Sequence, residues 1–448
     1  MNSHNRICCG NFFFIYIIVY FCDIIYLITM KKSFLLLFIC ITACRISAHI
    51  IYDNDIKSLQ VIINDNWLSM PIMKLNSNEC LNVSFDQLSH TYHRYIYKME
   101  HCDANWTLSN NLLESDYING FNNNTIDDYE ESINTNVQYT HYSITIPNEK
   151  CKLTMSGNYK LLVFDQDKNN KKVIEARFMI LEPLMNVGLS ITTNTDIDIN
   201  RSHQQVNMDV NYNGISITNP IEQIHTIVIQ NGLNGESITD AKPDYIRNDG
   251  IKWIHNKNLI FNAGNEYYKF ETLSTNHPTM GIEHIIWDGN KYNVFPFINF
   301  PRINYIYDED ANGAFCIRNS TNQDNDITCD YVQVNYKLKM DSDNIKQIDF
   351  LNKNCSIMIN GNWTNNYDAS EYKMSYESKD RSYNISLLQK QGYYSYRYIV
   401  IDNTGKYLPD GIEPSFYQTE NKYQALVYYR KLGGRTDLLV GYASIDFK

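Results

Sequence analysis

Apolar and polar positions alternate along most of this chain in the way that places successive side chains on opposite faces of a strand. Segments 59–63, 81–85, 95–98, 142–146, 159–164, 175–181, 224–229, 331–338 and 393–401 carry that alternation or the β-branched and aromatic enrichment of half-buried strands. Between them lie turns rich in Asn, Asp, Gly and Ser. Among these, Asn213-Gly214, Asn231-Gly232 and Asp288-Gly289 supply the positive φ angles that tight hairpins need. Helix-period stretches are few and short, and no repeat of fixed period is present. Many short strands with frequent turns predict an all-β chain of tandem β-sandwiches.

At 448 residues the chain is too long for one small core. A first β domain is expected over 49–183, ending at Glu182-Pro183, where a strand gives way to the Asn- and Thr-rich segment 191–200. A middle β domain is expected over 184–330 and a third over 331–448. Within the third, Ser356-Ile357-Met358-Ile359-Asn360-Gly361-Asn362-Trp363, Tyr372-Lys373-Met374, Leu387, Gly392-Tyr393-Tyr394-Ser395-Tyr396-Arg397-Tyr398 and Asp402-Asn403-Thr404-Gly405 resemble an early-set sandwich of the glycogen-binding type. That resemblance suggests a fold before it suggests a ligand.

Residues 1–48 have a different character. Met30-Lys31-Lys32 followed by Phe34-Leu35-Leu36-Leu37-Phe38-Ile39 has the charged start and short apolar core of a secretory signal, with small residues at Ser47-Ala48. An upstream apolar stretch over 12–29, interrupted by Asp23, is read as a start codon placed too early, so that the product begins at Met30. Two processing outcomes stay open. Ile41-Thr42-Ala43-Cys44 is a passable lipobox, which would put a lipid on Cys44, and a cut after Ala48 would leave an N-terminus just before the first strand.

Charge narrows the partners. Past residue 48 the chain carries 35 Lys and Arg against 49 Asp and Glu, a net charge of −14 that repels phosphate backbones and argues against nucleic acid. Six cysteines follow the signal region: Cys80, Cys102, Cys151, Cys316, Cys329 and Cys355. An even number in an exported chain permits disulfides. Cys316 and Cys329 would face each other across a hairpin turning at Asn322-Gln323, and Cys102 with Cys151 would close a longer loop. No CxxC spacing occurs in this part, which argues against structural zinc.

Other candidate chemistry is thin. His101-Cys102-Asp103 contains the residue types of a thiol protease, but consecutive strand residues face opposite sides, so the expectation is a strand end leading into a turn that buries Trp106. Asp308-Glu309-Asp310-Ala311-Asn312-Gly313 matches the first half of a calcium loop, yet Asn319 stands where the closing glutamate belongs, and an acidic hairpin turn is expected instead. Trp363, Tyr393, Tyr394 and Tyr396 suit either core packing or a sugar platform. Arg430, Arg435 and Asp437, flanking Gly433-Gly434, are expected to form a surface hairpin with local ion pairs. There is no P-loop, GxSxG elbow or HExxH pair, and no catalytic residue, cofactor site or metal site is assigned.

One ordered series of motifs points to a family. It runs through His101-Cys102-Asp103-Ala104-Asn105-Trp106, Asp116-Tyr117-Ile118-Asn119-Gly120-Phe121, Ile126-Asp127-Asp128-Tyr129, Gln138-Tyr139-Thr140-His141-Tyr142, Ile146-Pro147-Asn148 and Ser156-Gly157-Asn158-Tyr159. It continues through Leu259-Ile260-Phe261-Asn262-Ala263-Gly264-Asn265-Glu266-Tyr267, Asp310-Ala311-Asn312-Gly313-Ala314-Phe315, Leu388-Gln389-Lys390-Gln391-Gly392 and Val427-Tyr428-Tyr429-Arg430-Lys431-Leu432-Gly433-Gly434. In order and spacing these resemble the plug proteins of the type IX secretion system. The resemblance implies a non-enzymatic periplasmic protein, peripheral to the inner face of the outer membrane. Its implied partner is the outer-membrane type IX translocon barrel, which it would close between export events. Trp106, Tyr117 and Phe121, in and around the long loop of the first domain, are the candidate partner-binding residues, with core packing as the competing reading. A glycan-binding periplasmic or surface protein is the alternative function, and a calcium-dependent adhesin a third.

Overall fold

The computed structural model describes residues 49–340, 355–366 and 369–448, so the expectations for the signal region and for Cys44 lie outside the described residues. The described chain is all-β and arranged in tandem sandwiches. The first sandwich has one sheet in the order Ile50–Ile51, Lys171–Leu181, Gly157–Asp165, Tyr95–Cys102, Asn124–Thr125, with Ile72–Lys74 added in parallel to Lys171–Leu181. Its second sheet runs Ile56–Ile63, Leu81–Gln87, Thr140–Ile146, Asp128–Glu131. Leu81, Val83 and Phe85 share the core with Tyr159, Leu161 and Val163 of the other sheet. The alternation in the sequence aligns these sets, since a slip of one residue would turn each of them outward.

The second sandwich pairs Asn186–Thr192, His203–Asn211, Gly250–Trp253 and Tyr245–Arg247 in one sheet, and Ser237–Thr239, Ile224–Gln230, Asn421–Tyr429 and Leu438–Phe447 in the other. Between these segments the chain builds the third sandwich. One sheet there centres on Gly392–Ile401, which pairs with Tyr268–Thr272, Phe315–Ile317 and Ser356–Asn360. The other runs Ile282–Trp287, Tyr292–Pro296, Tyr331–Lys339, Ser382–Lys390, Ser375–Glu377. Val206, Val228, Trp253, Tyr423 and Val427 share one core, whereas Phe270, Val294, Val334, Ile357 and Tyr394 share another.

This corrects the boundary expected at 330/331. Strands between 268 and 317 belong with the third sandwich, and the strands over 421–447 complete the second. The reason is topological. Whether a chain leaves a sandwich and returns to it depends on which distant strands bury a common face, and local composition carries no record of that pairing. Turn chemistry is local and is as expected, for Asn213, Gly214, Asn231 and Gly232 all have positive φ.

Candidate partner-binding surface

The loop that carries the first family motifs is mostly interior. Trp106 and Tyr117 are each only 6% exposed. The Arg177 guanidinium covers Trp106 at 5.2 Å from its ring centroid, and the Trp106 N–H donates to the Asp103 carbonyl at 2.9 Å to close the turn. Tyr117 packs against His101 and Tyr159 in the first core. Neither serves as an anchor for a partner, because a side chain that already fills the interior has little surface left to offer. Phe121, just past the short strand Ile118–Gly120, is 76% exposed and keeps the candidate role.

The other candidate sites resolve in the same way. His101 spends its ring nitrogens on Ser109 Oγ and the Ser156 carbonyl, each at 3.0 Å, so it is no base for Cys102. Cys102, Cys151, Cys316 and Cys329 are free thiols, which corrects both disulfide expectations. In place of a hairpin at Asn322-Gln323, a short helix, Asn325–Thr328, leads into Tyr331–Lys339, whereas Cys316 lies on a strand paired with Gly392–Ile401 in the opposite sheet. Cys102 sits opposite Asn158, and Cys151 opposite Gly120 in a separate two-stranded sheet. Burial pushes the Cys102 and Cys329 thiols up to about 12 and Cys151 up to about 11, which keeps them protonated and unreactive. The aromatic platform is not assembled either. Tyr394 and Tyr396 are core residues, Trp363 packs on Tyr336 and Tyr394, and Tyr393 packs on Trp67.

The acidic turn is built as a structural loop. Asp310 accepts hydrogen bonds from the backbone N–H groups of Tyr267 and Asn312, and Lys269 pairs with Asp308 at 2.6 Å. Burial pushes the Asp310 carboxyl up to about 7 against the pull of those two backbone donors. A carboxyl whose folded value lies above its unfolded value of about 3.9 is stabilising when protonated, so its contribution is full below that value and is lost as pH rises to about 7. Between pH 5 and pH 8 the wild-type chain is expected to lose more than about 1 kcal/mol relative to Asp310→Asn, since a tenfold difference in proton affinity corresponds to about 1.4 kcal/mol. Thermal melting of both proteins at the two pH values checks it, and parallel profiles would refute it.

Two polar seams join the sandwiches, the first of them buried and the second partly exposed. Asp86 of the first accepts from Lys390 Nζ at 2.7 Å and from the Tyr331 hydroxyl at 2.6 Å, both on the third, while its other oxygen meets His141 Nδ1 at 2.7 Å. Asp330 extends this seam by accepting from the backbone N–H groups of Asn136 and Val137 at 2.9 and 3.1 Å. On the other side, the turn containing Gly433-Gly434 docks on the first sandwich. Arg430 pairs with Asp437 at 2.7 Å, as expected locally, but also with Asp103 at 3.0 Å, and Arg435 reaches Asp116 at 2.8 Å. These contacts bind the described chain into one compact unit.

The third sandwich also carries an apolar strap that was not among the expected sites. Over 297–307 the chain is irregular, and Phe297, Phe300, Ile303 and Ile306 are between 48% and 62% exposed. The intervening Asn299, Arg302 and Tyr305 hold it down. Asn299 Oδ1 accepts from the Tyr396 and Tyr398 hydroxyls at 2.8 Å, Arg302 forks onto Glu413 at 2.8 and 3.0 Å, and the Tyr305 hydroxyl donates to Glu266 at 2.7 Å. Polar groups face in and apolar groups face out at every third position, the period of an extended left-handed helix. That spacing, preceded by Pro296 and interrupted by Pro301, is present in the sequence but fits neither the strand nor the helix template. Such a set of outward apolar side chains makes the strap a candidate interaction surface.

Tandem β-sandwiches held together across a buried ion pair, with apolar side chains displayed outward on one strap, define an all-β multi-sandwich protein. Residues 56–182 match the family described as type 9 secretion system plug protein 1st domain, and the chain belongs to the type IX secretion system plug family, whose members are structural and non-enzymatic. That membership ties it to a secretion system of the cell envelope. The whole fold is similar to the crystal structure of a hypothetical protein from Parabacteroides merdae, with a TM-score of 0.82 and 35% identity over 89% of this chain and 99% of that one. A collagen adhesin from S. aureus (TM-score 0.09, 6% identity, 89% of this chain and 97% of that one) has no bearing on the fold. Nor has an α-2-macroglobulin from Escherichia coli (TM-score 0.13, 9% identity, 88% of this chain and 26% of that one). No curated protein matches the chain.

Proposed function

We propose that this protein is a periplasmic plug that closes the inner mouth of the outer-membrane type IX translocon when no cargo is passing. The match of residues 56–182 to the plug family carries this reading. Physics supplies the need. Large barrels enclose aqueous channels, and one wide enough for folded cargo leaks small solutes whenever it stands empty. A plug for such an opening has to occupy volume without deforming. Three close-packed sandwiches joined through the Asp86 to Lys390 and Arg430 to Asp103 pairs suit that demand, because packed interiors resist compression.

A reversible seal calls for a mostly polar contact with a few apolar anchors. Phe121 and the outward residues of the strap supply them in this reading. The test is recovery of the tagged chain from outer membranes of its native host, with partners identified by mass spectrometry. A giant barrel subunit is expected in the wild-type sample, and its absence would end the plug reading. In the double variant Phe300→Asp, Ile303→Asp, barrel recovery is expected to fall at least about tenfold, as loss of one good anchor costs upwards of about 1.4 kcal/mol. Undiminished recovery would move the interface away from the strap.

A further inference from the structure

We infer that the cleft where the three sandwiches meet is a second binding site, taking an extended, arginine- or lysine-bearing segment of a partner polypeptide. The cleft has a volume of about 300 Å³ and is lined by residues of all three sandwiches. It is separate from the apolar strap, none of whose residues lines it.

Its first wall is a sheet edge. Ile56–Ile63 ends its sheet, pairing with Leu81–Gln87 on one side and, among the described residues, with no further strand of that sheet on the other. Leu59, Gln60, Val61 and Ile62 all line the cleft, although their side chains alternate between buried and half-buried. Consecutive strand residues point to opposite faces, so four in a row border one cleft through the backbone edge they share. A free edge presents N–H and C=O groups at the spacing of another strand, and an added strand is how extended peptides are commonly recognised.

The second observation is charge. Glu309, Glu420 and Asp446 line the cleft against Lys422 and Lys448, and Lys422 is already engaged with Asp446 at 3.6 Å. Asp310 adds a fourth carboxyl, one that a neighbouring cation would draw into its ionised form. His49 adds no positive charge, for burial, aided by Arg177, holds its ring down at about 3. The surplus is negative, which selects a basic occupant.

Third, two lining residues hold buried carbonyl oxygens that accept from no described group: Gln424 Oε1, on a side chain only 2% exposed, and Asn312 Oδ1. Buried acceptors are nearly always paired in folded proteins; both oxygens are closed to solvent, so a guanidinium or ammonium reaches them only as these two side chains shift toward the cleft. Trp67, also on the lining, offers a ring for the aliphatic stem or for the charge itself.

The test is isothermal titration of the purified full chain with an acetylated, amidated peptide of alternating arginine and valine. The counterpart with glutamate in place of arginine, and arginine amide alone, serve as comparisons. The arginine peptide is expected to bind at least about tenfold tighter than either, about 1.4 kcal/mol. In the double variant Glu309→Gln, Asp446→Asn, which removes charge without emptying the core, that preference is expected to shrink several-fold at an unchanged melting temperature. Equal binding of both peptides, no binding, or undiminished preference in the variant would overturn the site. Arginine amide binding as tightly as the peptide would overturn the added strand. None of these outcomes bears on recovery of the barrel, so this inference and the plug reading fail separately.

Discussion

Replacing Asp86 with Ala is expected to cost about 3–5 kcal/mol of folding stability, the range for removing one partner of a buried ion pair. Lys390 and Asp86 each have side chains only 1% exposed. Without the carboxylate, the Lys390 ammonium is left with the Asp326 carbonyl at 2.6 Å and the Tyr139 ring at 4.1 Å, neither of which carries a full negative charge. The Tyr331 hydroxyl and His141 lose this acceptor at the same time. Burial alone would raise the Asp86 carboxyl, but the Lys390 ammonium and the His141 contact outweigh it and hold it below the usual range. A depressed carboxylate contributes stability above its unfolded value of about 3.9 and loses it as pH falls through its lower folded value, so the cost of Asp86→Ala is largest near neutral pH and shrinks in acid. Urea unfolding at pH 7 measures it, and a loss under about 1 kcal/mol would refute the argument. The paired change Asp86→Leu, Lys390→Met is expected to recover much of the loss, because apolar replacements leave no charge stranded.

Local patterning does not reveal this seam. Asp86 follows Phe85 on one strand, and alternation assigns such a pair to opposite faces, one core and one solvent. Both are fully buried, because the third sandwich covers the outer face of the first. Lys390 stands in the sequence within Leu388-Gln389-Lys390-Gln391-Gly392, where it contributes to a family resemblance and nothing more. The strands and hairpin turns are legible because periodicity and φ preference are local properties. Sheet partners are not, so the hairpin expected between Cys316 and Cys329 gives way to a helical turn and a change of sheet. The loop after Trp106 reads as the place for aromatic anchors, yet of the three candidates there only Phe121 reaches solvent. The strap at 297–307 escapes both templates because its period is neither that of a strand nor that of a helix.

The glycine of Ser156-Gly157-Asn158-Tyr159 has a geometric reason that supports a second large effect. Gly157 has φ +138°, a backbone region that residues with a side chain rarely adopt, and a Cβ there would lie 2.4 Å from His101 Nε2 and 3.2 Å from the Asp437 carbonyl oxygen. His101 has little room to yield. Burial pushes its ring below the ordinary histidine range against the opposing pull of the Ser156 carbonyl, so the neutral ring donates from Nε2 to that carbonyl and accepts at Nδ1 from Ser109 Oγ. Ser109 in turn lies 2.9 Å from Thr436 Oγ1, and Thr436 donates to Asp103 at 2.7 Å. Any shift that admits a methyl therefore disturbs the seam holding the turn of Gly433-Gly434 to the first sandwich. Gly157→Ala is expected to destabilise by about 3 kcal/mol or more, combining backbone strain with the clash. Gly433→Ala is the informative control. It has φ +72° and nothing within 4 Å of its added Cβ, so only the left-handed backbone cost of about 1 kcal/mol applies. Urea unfolding of both variants, with hydrogen exchange followed over 421–447, separates the two effects. If Gly157→Ala proves no worse than Gly433→Ala, the seam is not rigid, and a plug relying on it would not keep its shape under load.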